Sequence, residues 1–269
     1  MKVATTQSVD RLTVLHEAQG ASSENYLSQS TRLNINEWAN KFSNIQENNG
    51  ALVRMGTDRV SRQQVFTAFE EVSNGGTLTE AFVATMAWGF KPDSYGPYRT
   101  SVMLSNPRKN HNVLEVLESV AADSDPLSAY RGLANTLKGL GPAFGTKFLY
   151  FTSSQVNRAP ILDAVVANWL WRYGVRDIRG KWITPKEWNP KLYEQYVEFC
   201  TEICELLGIA DRGLVEYLMF VDAQYSDYLE QGKAQPLWVA SAVPPGWPTK
   251  TPSSVTGIGI GIRPVSREN

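Results

Sequence analysis

Two glycines in Leu137-Lys138-Gly139-Leu140-Gly141, followed at once by Pro142, constrain this chain more than any other stretch. The run 127–137, with Asp125 available as a cap and Pro126 behind it, has the composition of a helix, and the glycines after it can adopt positive φ and end that helix. Pro142 stands where a proline opens a new helix, so the spacing predicts two helices joined by a glycine turn, the second spanning about 143–151. The first N–H groups of a helix have no intrahelical acceptor. Here they point out of the turn, where they can hold an anion such as a phosphate.

Downstream of the polar loop 152–158, Pro160 is expected to start a third helix with Asp163 in its first turn, where the helix dipole favours an ionised carboxylate. Ile161, Leu162, Val165, Val166, Trp169 and Leu170 recur at helical spacing, so one face packs and Asp163 is held firmly. Residue types alone leave Asp163 two roles, an ordinary helix N-terminal acid or a functional carboxylate.

At the hairpin residues 137–141, at Phe148-Leu149 and at Ile161-Leu162-Asp163, the chain resembles the helix-hairpin-helix superfamily of DNA glycosylases, and within it the 8-oxoguanine glycosylase-like branch. The resemblance implies an all-α, two-lobed fold over residues 1–240, a hairpin lobe at about 111–183 and an extended C-terminal tail over 241–269. It implies that the hairpin grips the backbone of double-stranded DNA, in many members with a monovalent cation on hairpin carbonyls, and that Asp163 is catalytic. Lys138, Gly139, Gly141, Gly145, Thr146 and Arg158 are then the expected DNA-binding residues. Two positions depart from the pattern. The lysine that lyase-competent members carry two residues after the second hairpin glycine is Ala143 here, and the histidine two residues after the aspartate is Val165. Lys147, in Gly145-Thr146-Lys147, offers an amine one helical turn further on, within catalytic reach only if the hairpin is displaced from this alignment. The expected reaction is hydrolysis to an abasic site without strand scission, with Lys147 kept as a second catalytic candidate in case of lyase chemistry.

Composition bounds these readings. With 269 residues, 42% of them hydrophobic, the chain can bury a substantial core, and no apolar run approaches the roughly 20 residues needed to cross a bilayer. The N-terminus MKVATTQSVDRL lacks the apolar stretch of a signal peptide, which gives a cytoplasmic protein as the expectation; a monomer is expected separately. Cys200 and Cys204, at i and i+4 on a helical run, suit buried thiols, and no four-cysteine array exists for an iron–sulfur cluster. His16 and His111 are too few and too far apart for a zinc cluster; HExxH, CxxC and GxSxG motifs are missing, and the GIGIGI run lacks a strand-to-helix setting, so no metal is expected. The net charge of −1 is unlike that of a typical DNA-binding domain, but 131–181 holds eight Lys and Arg against Asp163 and Asp177. That local surplus surrounds the proposed hairpin as phosphate binding requires, or else forms a solvated basic face.

Elsewhere, 1–33 reads as an irregular arm, and 36–48 as an amphipathic helix bearing Trp38 and Phe42. Ser61 with Gln64 three residues on forms a capping box for a helix to Val72, and an apolar helix follows over 77–88, ended by Gly89. The segment 88–99, with two prolines and two glycines, is expected to be irregular. Its Trp88, Phe90, Tyr95 and Tyr98 either stack an extruded base or close the edge of a core. A connection over 171–188 leads to a helix capped by Asn189 and opened by Pro190, then to another over 211–229; the alternating Gly and Ile of 257–262 have the pattern of a short strand, which glycine weakens. The function expected from the resemblance is a glycosylase that rotates a damaged or modified base out of the duplex and breaks its N-glycosidic bond. Its rivals are a non-catalytic hairpin module that only grips DNA, and a helical interaction protein. Among target bases the resemblance puts 8-oxoguanine first, with a modified pyrimidine, in its own or foreign DNA, as the alternative.

Overall fold

Helices carry almost all of the regular structure in the computed structural model, which describes residues 3–19, 24–42, 58–90, 95–106 and 112–230. The all-α class is as expected. Among the described residues one antiparallel strand pair, β1 (Ser30–Arg32) against β2 (Arg59–Ser61), accompanies the early helices α1 (Thr6–Gln19), α2 (Glu24–Ser28) and α3 (Ile35–Phe42), with Ser30 opposite Ser61. The expected tail 241–269, its 257–262 strand and residues 43–48 of the expected early helix lie outside the described residues.

Several helix ends follow from their caps. In α4 (Arg62–Val72), Ser61 accepts from Gln64 N while the Gln64 side chain accepts from Ser61 N, which completes the capping box read from the sequence. Thr77 and Glu80 form a second such box on α5 (Leu78–Gly89), a helix buried on nearly every side. After α6 (Tyr95–Ser105), α7 (Val113–Ala121) and α8 (Pro126–Leu133), the central helices are α9 (Pro142–Thr152) and α10 (Ala164–Arg172). The chain then forms α11 (Pro190–Leu207), capped by Asn189 and ended by left-handed Gly208, and α12 (Arg212–Glu230). None of the described helices is long and apolar enough to cross a membrane.

Three local expectations are corrected. Residues 6–19, read as part of an irregular arm, form α1, because Leu12 and Leu15 are buried and Arg11 makes an ion pair with the buried Asp222 of α12. Tyr95–Ser105 is helical despite Gly96 and Pro97: a proline in the first turn gives up an N–H that has no helical acceptor anyway, and Gly96 lies where a Cβ would press on Phe90 and Trp38. Finally, α8 stops at Leu133 instead of 137, because Asn135 turns into the left-handed region (φ 61°).

The described apolar residues form one continuous core in which α5 and α9 are almost wholly enclosed. Inside it, fully buried Arg62 donates to Glu216 at 2.9 Å and through two nitrogens to Gln29 Oε1 at 3.0 and 2.8 Å. The rings of Tyr26, Trp88, Tyr150 and Tyr217 stand 4.8–5.6 Å from its guanidinium carbon. Removing one member of such a pair leaves the other charge unsatisfied, whereas replacing both by apolar groups does not. Glu216→Ala should therefore lose about 3–5 kcal/mol of stability by denaturant unfolding. Arg62→Met/Glu216→Leu together should lose much less than the sum of the two single changes.

Candidate active site

Asp163 does not lie inside a helix begun by Pro160, as the sequence suggested; it is the N-cap of α10, in extended conformation (φ −114°, ψ −176°). Its Oδ1 accepts the N–H groups of Val165 and Val166 at 3.0 and 3.1 Å. Oδ2 is turned the other way and accepts from Lys147 Nζ at 2.8 Å. The extended lead-in is fixed peptide by peptide. Tyr193 donates to Pro160 O at 3.0 Å, Tyr196 to Ile161 O at 2.8 Å, and Leu162 N donates to the Thr146 hydroxyl at 3.1 Å.

Lys147 reaches this carboxylate from the second turn of α9. The reason is the angle at which α9 meets the 160–163 segment, fixed by Thr146, the neighbouring residue. Both side chains of the pair are mostly enclosed, Lys147 at 10% and Asp163 at 15% exposure. Burial alone would raise the Asp163 carboxyl; the Lys147 charge and hydrogen bond, with the Val166 and Val165 N–H groups, outweigh it and hold the acid below its ordinary range. Behind the pair, burial pushes the Glu216 carboxyl up; Arg62 opposes this, the negative charge of Asp163 reinforces it, and Lys147 opposes it.

The wall beside Lys147 is aromatic. Its Nζ lies 6.0 Å from the Trp88 ring centre and 5.8 Å from that of Phe144, and a Cβ at Gly89 would crowd both the Lys147 stem and Phe144. Phe90 stacks on Phe144 with ring centres 4.1 Å apart. Of the four expected pocket aromatics, Trp88 and Phe90 are therefore buried at the site, while Tyr95 and Tyr98 are more than half exposed, Tyr95 edge-on to Phe90 and Tyr98 beneath Lys41. Phe144 was missed because it falls in α9, outside the aromatic loop.

The expected DNA-binding residues separate into two groups. Lys138 is exposed at the hairpin tip and Gly139 beside it has φ +86°, as the turn requires; Gly141, at φ −101°, is an ordinary extended N-cap with no side chain to cap α9. Gly145, Thr146 and Arg158 are buried, with their contacts made to the protein itself. Gly145 lies against the Trp188 ring, where any Cβ would overlap it; Thr146 holds Leu162; Arg158 donates to Tyr150 O and Ser153 O at 3.0 and 2.7 Å and pairs with Asp211. The basic surplus of 131–181 is likewise redistributed. Lys147 and Arg158 are consumed in enclosed pairs, and Arg176, Arg179 and Lys181 belong to a turn organised by Asp177 beyond α10.

The carboxylate and the amine are thus in direct contact beside aromatic rings, one turn inside a helix whose N-terminus has no side-chain cap. The family described as "Putative 8-oxoguanine DNA glycosylase OGG-like protein" matches residues 24–220. The chain belongs to this family. No curated protein and no solved structure matches it. The matched OGG-like region contains the hairpin, Lys147, Asp163, Trp88 and the Arg62–Glu216 pair, and it leaves α1 outside.

Two substitutions test the geometry. Gly139→Val should lose about 1–2 kcal/mol, because a β-branched residue resists positive φ, whereas Gly141→Ala should be nearly neutral in thermal unfolding, as a Cβ there meets nothing within 4 Å. For Asp163, whose acid is depressed in the folded state, the carboxylate contributes stability above the unfolded value and loses it as pH falls through the lower folded one. The stability difference between wild type and Asp163→Asn should thus be level from neutrality down to about pH 4 and shrink below it, as read from denaturant midpoints against pH.

Proposed function

We propose that this chain is a DNA glycosylase that takes the target nucleotide out of the duplex and cleaves its N-glycosidic bond at the Lys147–Asp163 pair. The observation that carries the proposal is the 2.8 Å contact between Lys147 Nζ and Asp163 Oδ2 beside the hairpin. Unlike the fully buried Arg62–Glu216 pair, this one keeps part of both side chains exposed, at 10% and 15%, beside the hairpin that would grip DNA.

Rotating a nucleotide out of the stack requires a few kcal/mol, least at damaged or mispaired positions. In the proposed complex the hairpin N–H groups and Lys138 hold the backbone, and the Trp88–Phe144 wall receives the extruded base. As the nucleotide enters, the Lys147 ammonium gives one proton to solvent water, which frees the amine, while Asp163 stays the carboxylate that its donors stabilise. The Nζ lone pair then forms a bond to sugar C1′ while the bond from C1′ to the base nitrogen breaks, and the departing base takes a proton from water. Asp163 remains an anion beside a positively charged sugar–amine adduct, where its carboxylate is stabilising. Loss of one Nζ proton to O4′ as the C1′–O4′ bond opens leaves an iminium between Lys147 and the sugar. Removal of a C2′ proton from that species expels the 3′ phosphate and cuts the strand.

The sequence reading, resting on Ala143, favoured water as the nucleophile; the position of Lys147 supports the amine instead. The family description names 8-oxoguanine, which makes it the first base to test, with a modified pyrimidine as the alternative.

Incubation with duplexes each carrying one modified base, followed by analysis with and without alkali, separates the outcomes. Base release with strand cuts before alkali, and trapping of the protein on DNA by borohydride, are expected. Lys147→Gln should abolish trapping, and Asp163→Asn should slow base release by about 10²-fold or more while leaving duplex affinity intact. Cuts that appear only after alkali would return the mechanism to hydrolysis by Asp163 and water; no release from any duplex would remove the enzymatic reading.

A further inference from the structure

The hairpin carbonyls that the family resemblance assigns to a monovalent cation do not fit one in this chain. Leu137 O accepts Leu140 N at 3.4 Å, and Gly141 O accepts Phe144 N at 3.1 Å and Gly145 N at 2.9 Å. Leu140 O accepts the Trp188 indole N–H at 3.3 Å. The remaining contact is the telling one. Gly139 O, at the positive-φ residue of the turn, accepts two N–H groups of one guanidinium, Arg99 Nε at 3.0 Å and Nη2 at 2.6 Å. A bound cation must exchange its water for several such oxygens at once, and here they are already engaged by donors.

We infer that Arg99 serves this hairpin in place of the ion: its guanidinium neutralises the turn carbonyl and presents a fixed positive charge to the DNA phosphate. The inference rests on the DNA-gripping function proposed above. Arg99 is well placed to be permanent, because α6 is fastened to the hairpin twice, by this fork and by Lys138 N donating to Asn106 O at 3.2 Å. The rings of Phe144, Tyr95 and Phe90 surround its guanidinium carbon at 5.6, 5.8 and 6.0 Å. A guanidinium keeps its charge at any physiological pH and presents its donors in a plane. Two of them are spent on Gly139, which leaves the Nη1 amino group outside this pair of bonds. Sequence reasoning passed over Arg99 because it lies outside the basic window 131–181.

The test measures affinity for a plain duplex by fluorescence anisotropy, in sodium, potassium and tetramethylammonium chloride at equal ionic strength. Wild-type affinity should agree within about twofold across the three salts, and the slope of log affinity against log salt should fall by about one unit in Arg99→Met, one phosphate contact being lost. A wild-type affinity that drops several-fold in tetramethylammonium would overturn the inference, since the hairpin would then hold an ion; so would an unchanged slope in a folded Arg99→Met protein. The thermal midpoint, read in potassium and in tetramethylammonium without DNA, keeps the two levels apart. A wild-type protein that binds no duplex, yet has the same midpoint in both salts, would sink the DNA-gripping function, whereas a midpoint raised by potassium would sink the substitution of the ion by Arg99.

Discussion

Neither Lys147 nor Asp163 could occupy its place alone, and that mutual requirement fixes the relation of α9 to α10. A mostly enclosed carboxylate needs donors, and this one has three, two backbone N–H groups and an ammonium. A mostly enclosed ammonium needs an anion. Arg62 and Glu216, close enough for Glu216 to respond to both charges of the pair, complete a set of two cations and two anions inside the core. The packing around them is shared: Trp88 lies 5.1 Å from the Arg62 guanidinium carbon and 6.0 Å from Lys147 Nζ, so one indole borders both pairs.

The segment between the two helices is as constrained as the helices themselves. Two tyrosine hydroxyls, one threonine hydroxyl and two cap N–H groups account for residues 160–163, and burial pushes the Tyr193 and Tyr196 hydroxyls well above their ordinary range, so both remain donors. Such over-determination gives the Asp163 carboxylate the fixed position that the proposed chemistry requires.

What the sequence disclosed was mainly local. The Ser61–Gln64 box, the Asn189–Pro190 start and the Gly139 turn are short-range rules that depend on few neighbours, and each was readable. Misreadings came where a distant partner decides. Residues 6–19 looked too polar to fold until α12 supplies Asp222 and a surface for Leu12 and Leu15. Arg158 and Thr146 looked like phosphate ligands because they flank the hairpin in sequence; in space their polar groups face the protein. Asp163 was singled out by its position after the hairpin, but its contact with Lys147 depends on how α9 and the 160–163 segment meet in space, tied by Thr146 to Leu162, which no spacing rule contains.

The order in which these parts occur along the chain has its own consequence. Trp188, which lies on Gly145 and bonds Leu140 O, and Tyr193 and Tyr196, which hold the lead-in to Asp163, all come after the residues they position. During synthesis, with earlier residues emerging first, the hairpin, Lys147 and Asp163 are present before these three aromatic residues. A growing chain that has reached α10 thus holds the pair and the Thr146 contact, but the tyrosine hydroxyls that fix the peptides of Pro160 and Ile161 arrive only with α11.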